Sequence, residues 1–169
     1  MGTNRLLFSA VLPMIMVLSG CDSPAGPSHE PSQAMTSQMV PFKAHYVAQV
    51  VGVAECFGGA PRFLAQGTGT GTELGDFTID LSFCGRGALL DEGEGTFVAA
   101  NGDLLRITFN GEGDQGFPIL HFTSFVTFVG GTGRFEHATG TATVHGSFDV
   151  TTGSGPADWV GQISPVGLQ

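Results

Sequence analysis

The chain has 169 residues, of which 41% are hydrophobic and 14 are Phe, enough apolar material for one domain with its own core. Glycine is abundant at 27 residues and charged residues make up only 12%, a composition that favours strands and tight turns over helices. The formal net charge of −9 argues against a nucleic-acid partner, because proteins that bind nucleic acid present basic surfaces.

The first twenty residues predict a signal peptide of the bacterial lipoprotein type. Arg5 and the amino terminus supply positive charge, and residues 6–18 are apolar apart from Ser9. This apolar segment is shorter than the ~20 residues that span a bilayer, and it fits the core of a secretory signal. It ends in Leu18-Ser19-Gly20-Cys21, which resembles a lipobox. A plain secretory signal and an uncleaved anchor are the alternatives.

The resemblance to a lipobox implies that Cys21 becomes a lipidated amino terminus. Its thiol would carry a diacylglyceryl group and its amine a further acyl chain such as palmitate. Two or three chains anchor a protein durably, whereas a single chain binds reversibly. We therefore expect a membrane partner through Cys21 and a location in the cell envelope, on the extracytoplasmic side of the inner or the outer membrane. Loss of Arg5 would leave five basic against fifteen acidic side chains, a balance of −10.

Residues 21–40 predict a disordered tether between this anchor and the domain. Pro, Ser and Gln dominate the segment, and no aromatic residue interrupts it. Such a composition buries too little surface to offset the entropy lost on ordering. The globular domain is therefore expected over residues 41–169.

From residue 41 onward, runs of alternating apolar residues between Gly-rich turns predict eight strands and no helix. The clearest is residues 77–83, in which Phe77, Ile79, Leu81 and Phe83 alternate with polar residues. Asn101-Gly102 predicts a type I′ hairpin turn, in which both residues take positive φ. The expected strands are 44–55, 62–71, 77–83, 95–100, 103–110, 119–129, 141–150 and 157–164.

Eight short antiparallel strands can close into a barrel, and closure removes the exposed sheet edges that a flat sheet would present. We expect an all-β, eight-stranded antiparallel β-barrel, with a β-sandwich as the competing architecture. A barrel of eight strands is either filled by side chains or holds one small ligand.

Three glycine-rich stretches resemble bacterial secreted proteins with an allene oxide cyclase-like or dirigent-like barrel. They are GTGTGTELGDFT at residues 67–78, GTFVAANGD at 95–103 and GGTGRFEHATG at 130–140. The resemblance covers roughly residues 44–164 and implies an eight-stranded antiparallel barrel of the calycin-type shape. It transfers no catalytic residue, because no polar constellation in this chain matches the active site of either family.

The expected function is therefore non-enzymatic: a lipid-anchored barrel that binds a small apolar ligand or serves as an envelope accessory. The alternative is a cyclase or isomerase that acts on an apolar substrate inside the barrel, and a partner-binding module using loops at 85–93 and 111–117 is a third possibility. No oligomeric state is predicted. The residues expected to line a ligand site are Phe97, Phe109, His121, Phe125 and Phe148.

Cys56 and Cys84 are expected to form a disulfide bond. Export permits disulfides, and the two residues follow strands that could meet; the proteins that the chain resembles often carry a cysteine pair at such places. Free buried thiols are the alternative. The histidines are dispersed, without metal-ligand spacing, so we expect neither a metal nor a cofactor.

Overall fold

The computed structural model describes residues 38–167, which contain eight β-strands and one turn of 3₁₀ helix. The predicted signal peptide (residues 1–20), Cys21 and nearly all of the predicted tether lie outside the described residues. The strands are β1 Val40–Glu55, β2 Pro61–Gly71, β3 Gly75–Arg86, β4 Leu89–Val98, β5 Leu104–Gly113, β6 Ile119–Gly131, β7 Thr139–Asp149 and β8 Ser154–Ile163. No helix among the described residues is long and apolar enough to cross a membrane.

The eight strands form a closed antiparallel barrel in which each strand pairs with its neighbours in sequence. The barrel closes because β1 pairs with both β2 and β8. Ala44 of β1, for example, lies opposite Gly71 on one side and Trp159 on the other. The prediction of an all-β, eight-stranded barrel is confirmed, and every strand of this sheet has two hydrogen-bonded partners.

Alternation along each strand separates an interior from an exterior, since successive side chains point to opposite faces. In β1, Phe42, Ala44 and Tyr46 are buried while Lys43 and His45 are exposed. The pattern extends to Val40, so the first strand begins one residue before the predicted domain boundary.

One end of the barrel is filled by large apolar side chains. This end carries the start of β1, the end of β8 and the turn between β6 and β7. Burial of each such side chain stabilises the fold by roughly 1.5–3 kcal/mol. The largest fully buried residues of this core are Phe42, Phe97, Phe128, Phe135, Leu74, Ile79, Leu105, Ile107 and Ile163.

Glycine is required in the turn that helps to close this end. Gly133 begins the 3₁₀ helix with φ of +52°, and a Cβ at this position would collide with the Asp103 carboxylate. The same carboxylate accepts a hydrogen bond of 3.2 Å from the backbone N–H of Arg134. The glycine-rich stretch 130–140 therefore brings its backbone against the turn between β4 and β5.

The turn between β4 and β5 differs from the predicted type I′ turn. Gly102 has φ of +88°, but Asn101 does not have positive φ. The Gly102 N–H donates to the Ala99 carbonyl at 2.8 Å, and the Ala99 N–H donates to the Asp103 carbonyl at 2.9 Å. This is a longer turn with one left-handed glycine. Asn101 instead stabilises the turn through its side chain, which accepts a hydrogen bond of 3.1 Å from the Asp103 N–H.

The opposite end of the barrel carries the connections between β1 and β2, β3 and β4, β5 and β6, and β7 and β8. The predicted loop at 85–93 is mostly strand, because β3 continues to Arg86 and β4 begins at Leu89. The predicted loop at 111–117 is shorter than expected, since β5 runs to Gly113.

Candidate functional site

The barrel encloses an apolar cavity of about 390 Å³ at the end opposite the large-residue core. The cavity is bordered by inward positions near the end of β1 and β7 and near the start of β2 and β6. Its volume lies within the 300–1,000 Å³ range of small-molecule sites.

The cavity wall is almost wholly hydrocarbon. Ser124 faces inward, whereas Gln49 and Ser147 border the cavity from outward positions of β1 and β7. Tyr46 and Trp159 carry one polar side-chain atom each. Small inward residues of the lining, such as Ala48 and Ala65, leave part of this space. The apolar side chains of the lining are Ala48, Val50, Phe63, Ala65, Leu81, Phe83, Ala88, Leu89, Leu90, Phe109, Leu120, Phe122, Val126, Val144, Phe148 and Val150.

Tyr46 and Trp159 belong to both the cavity lining and the packed core, so they form the cavity floor. Their exposed fractions are 5% and 3%, and their ring centroids are 6.1 Å apart. Below them, Phe97 meets the Trp159 ring edge-on at 5.2 Å, and Phe42 does so at 6.3 Å. This aromatic cluster separates the cavity from the closed end.

The polar atoms of the floor are poorly satisfied. Burial raises the pKa of Tyr46 well above its usual range, and the neighbouring Trp159 side chain lowers that pKa again in part. The Trp159 Nε1 is a buried donor that has no hydrogen-bond partner among the described residues. Such a group costs free energy comparable to a lost hydrogen bond.

Exposed apolar side chains surround the mouth of the cavity. Phe57, in the β1–β2 connection, is 92% exposed, and Phe117, in the β5–β6 connection, is 81% exposed. Leu89 and Val150 are also exposed and border the cavity itself. The entrance therefore has exposed apolar side chains both inside and on its rim.

Two carboxylates order the connections at this rim. Asp114 accepts backbone hydrogen bonds from Gly116 at 3.0 Å and from His121 at 2.9 Å, and these bonds lower its pKa. Asp149 accepts from the hydroxyl of Thr151 at 2.6 Å and from its backbone N–H at 2.8 Å, which lowers the pKa of Asp149 in the same way. Both connections are thus held by ionised aspartates.

A disulfide bond between Cys56 and Cys84 joins the end of β1 to β3 near the mouth. Both cysteines are buried, and the predicted pairing is confirmed. Glu92 lies 3.4 Å from the Cys84 sulfur and accepts from Arg62 at 2.9 Å and from Arg86 at 3.0 Å.

These groups do not form a metal site. Cys56, Cys84 and Glu92 are the one group of three potential metal ligands among residues 38–167. The two sulfurs are joined to each other and offer no thiolate. The Glu92 carboxylate, in turn, is shared between two guanidinium groups.

The structure separates the five residues predicted to line a ligand site. Phe109 and Phe148 line the cavity. Phe97 is fully buried beneath the floor, where it packs against Trp159. His121 is exposed, and Phe125 is 60% exposed, so both lie outside the barrel and the prediction is corrected.

The physical reason for the correction is the register of β6. Its inward residues are Leu120, Phe122, Ser124, Val126 and Phe128, each of which lies opposite an inward residue of β7. The odd-numbered residues, which include His121 and Phe125, face outward. This strand is apolar on both faces, and alternation alone therefore gave no preference for either face.

Sequence reasoning missed Tyr46 and Trp159 as site residues. Tyr46 continues the two-residue spacing of Phe42 and Ala44 along β1, and this spacing could have placed its side chain inside the barrel. Trp159 has Asp158 and Val160 as neighbours, and only closure of β8 onto β1 shows that it lies at the centre.

The remaining histidine contacts lie on the outer surface. His45 Nδ1 is 2.8 Å from Asp158 Oδ1, and both side chains are exposed. His145 Nδ1 is 3.1 Å from the Thr123 hydroxyl. These pairs connect neighbouring strands and have no access to the cavity.

In comparisons with protein-family models, with curated proteins and with solved structures, no match to this chain was found. The site is therefore interpreted from its own geometry.

Proposed function

We propose that this protein binds a small apolar molecule inside its barrel and does not transform it. The observation that carries the proposal is the apolar cavity of about 390 Å³. One water molecule takes up ~30 Å³ of the liquid, and at that volume per non-hydrogen atom the cavity holds a ligand of roughly 13 atoms. At the higher packing density of a protein interior it holds up to roughly 18.

The chemistry of the lining supports binding over acid–base catalysis. Among the described residues that line the cavity, Tyr46 is the one titratable group. Because burial raises its pKa, the phenol stays protonated at neutral pH and serves as a hydrogen-bond donor. A general acid or base requires a pKa nearer to the working pH.

The site is proposed to work at a bacterial membrane, in a protein anchored through lipidated Cys21. The barrel begins at Val40, and this residue lies at the closed end. An anchor would therefore join the barrel at the end opposite the cavity mouth. The chain from Cys21 to Val40 reaches at most about 65 Å when fully extended. The mouth would then open away from the anchored end, with its apolar rim accessible to ligand.

The likeness to allene oxide cyclase-like and dirigent-like barrels supports this proposal only at the level of architecture. The closed antiparallel barrel of eight strands agrees with it. Unrelated activities recur on one fold, so the function is argued from the cavity and not from the likeness.

Filling the cavity tests the proposal. Ala48 lines the cavity, so Ala48→Phe should occupy the ligand space, whereas Ala54→Phe adds the same ring at an exposed position of the same strand. The probe is N-phenyl-1-naphthylamine, whose fluorescence rises in apolar sites, measured with the full chain in nanodiscs and corrected for empty nanodiscs. We expect at least tenfold weaker binding for Ala48→Phe and unchanged binding for Ala54→Phe. Equal binding by both variants would contradict the proposal, and a chemically altered ligand would favour the cyclase alternative.

A further inference from the structure

The floor of the cavity holds a buried hydrogen-bond donor that no group of the described residues satisfies. The Trp159 Nε1 is buried without a partner, and it is almost inaccessible even from the cavity. Tyr46 lines the cavity, and the Trp159 side chain lies close enough to its phenol to lower the Tyr46 pKa. The phenol oxygen thus has a donor beside it, while its own proton is left for another acceptor.

We propose that the Tyr46 hydroxyl donates a hydrogen bond to a neutral carbonyl group at the inner end of the bound apolar molecule, with Trp159 as its positioning residue. This inference rests on the proposed function, because it names the class of ligand that the same cavity takes. The ligand is an apolar chain or ring system of roughly 13–18 non-hydrogen atoms with a ketone, aldehyde or ester oxygen at one end.

The charges around the cavity favour a neutral carbonyl over a carboxylate. Within the described chain, no Lys, Arg or His lines the cavity, and an ionised group buried without a cation costs several kcal/mol. Arg62 and Arg86 lie nearest to the mouth, and both already pair with Glu92.

The floor is rigid enough to place the donor. Trp159 is held by ring contacts with Phe42, Tyr46 and Phe97. When the phenol donates to a ligand, its oxygen becomes a better acceptor, and the indole N–H can complete its bond because such bonds strengthen one another. Preorganised donors of this kind cost little to order on binding.

The single Trp and the single Tyr of the chain make the test direct, since a ¹⁵N-labelled sample gives one indole N–H signal. The full chain is placed in unlabelled nanodiscs and titrated with undecan-2-one or with dodecane, two probes of equal size that differ in the carbonyl. We expect about tenfold tighter binding of the ketone, the worth of one hydrogen bond. We also expect a downfield shift of the indole proton with the ketone alone.

Variants assign the effect to its residues. In Tyr46→Phe the ketone should bind no tighter than dodecane, and the indole shift should disappear. In Trp159→Phe the ketone should bind about threefold more weakly, and its ¹³C carbonyl signal should move toward the unbonded value. Thr127→Ala removes a hydroxyl from the outer face of β6, outside the cavity, and should change neither quantity.

The outcomes separate this inference from the function on which it rests. Equal affinity for ketone and alkane, unaffected by Tyr46→Phe, would overturn the inference and leave the apolar site in place. The same holds for an indole shift that appears with both probes, which would indicate a water on the floor. Failure of both probes to bind would overturn the proposed function itself. The wild-type comparison decides between these outcomes even if a variant does not fold.

Discussion

Removal of the disulfide bond should destabilise the barrel strongly. The bond joins Cys56, which follows β1, to Cys84 in β3, and its Cα atoms are 6.1 Å apart. The double substitution Cys56→Ala and Cys84→Ala removes the bond and leaves no free thiol at the site. Because Cys and Ala are similar in size, the substitutions leave little empty volume in the folded barrel. The main expected effect is a gain in conformational entropy of the unfolded chain, which is no longer cross-linked.

The magnitude follows from the length of the closed loop. The two cysteines are 28 residues apart, and the chain-entropy relation for a loop of this length gives about 3.6 kcal/mol at 25 °C. This is a large share of the 5–15 kcal/mol that is typical of a domain. At roughly 4 °C per kcal/mol for a domain of this size, the melting temperature should fall by about 14 °C.

The assay is urea unfolding followed by the fluorescence of Trp159, which reports on the centre of the barrel. Cys21→Ala serves as the matched control, because it removes a cysteine outside the barrel and should leave the free energy of unfolding unchanged. The reduced wild-type protein should resemble the double variant. A loss below about 1 kcal/mol in the double variant would refute the argument, since the loop-closure term would then be absent.

Three further changes test the strand register, the contribution of Asp149 to stability and the lipid anchor at Cys21. Phe97→Ala should cost about 3–5 kcal/mol in urea unfolding, whereas Phe125→Ala on the outer surface should cost less than about 1 kcal/mol; equal losses would contradict the assigned register. Because the pKa of Asp149 is lowered by folding, its stabilising effect is present above the unfolded pKa of about 3.9 and is lost as pH falls through the folded value. The stability difference between wild type and Asp149→Ala should therefore be constant above about pH 5 and shrink below about pH 4, as measured by urea unfolding across pH; a difference independent of pH would contradict this assignment. Cys21→Ala should yield a non-acylated protein by mass spectrometry, and membrane extraction in detergent-free buffer that matches the wild type would contradict the lipid anchor.

The strands could be predicted from the sequence because most of them alternate cleanly. In β3, Phe77 and Ile79 are buried and Thr78 is exposed, as the pattern indicates. The same rule failed in β6, where Phe125 on the outer face is as apolar as Phe122 on the inner face. Only pairing with β5 and β7 fixes the register of such a strand.

The cavity could not be predicted, because its volume depends on which residues meet across the closed barrel. Ala48 and Ala65 leave space at one level, and Phe42 and Phe97 fill another. No local pattern in the sequence encodes that arrangement. Tyr46 lies opposite Ala157 in the ladder between β1 and β8, and this pairing brings it close to Trp159 although the two are far apart in sequence.

The turn between β4 and β5 shows that a turn type is harder to predict from the sequence than the position of the turn. Asn101-Gly102 does mark a hairpin, as predicted, but Asp103 competes for the Asn101 side chain through hydrogen bonds of 2.7 and 3.1 Å. The side-chain contact favours a turn in which Gly102 alone takes positive φ. A dipeptide signal locates a turn better than it specifies the turn type.

Native mass spectrometry of the protein purified from its own membrane tests the central claim most directly. We expect a non-covalent adduct of roughly 180–250 Da, the mass of 13–18 non-hydrogen atoms, that leaves on collisional activation. Acyl chains on Cys21 would remain, because they are covalent. The adduct should be absent from Ala48→Phe and present in Ala54→Phe. A wild-type protein that carries no adduct, and that takes up no apolar probe when one is added, would contradict the claim that the barrel is a binding site.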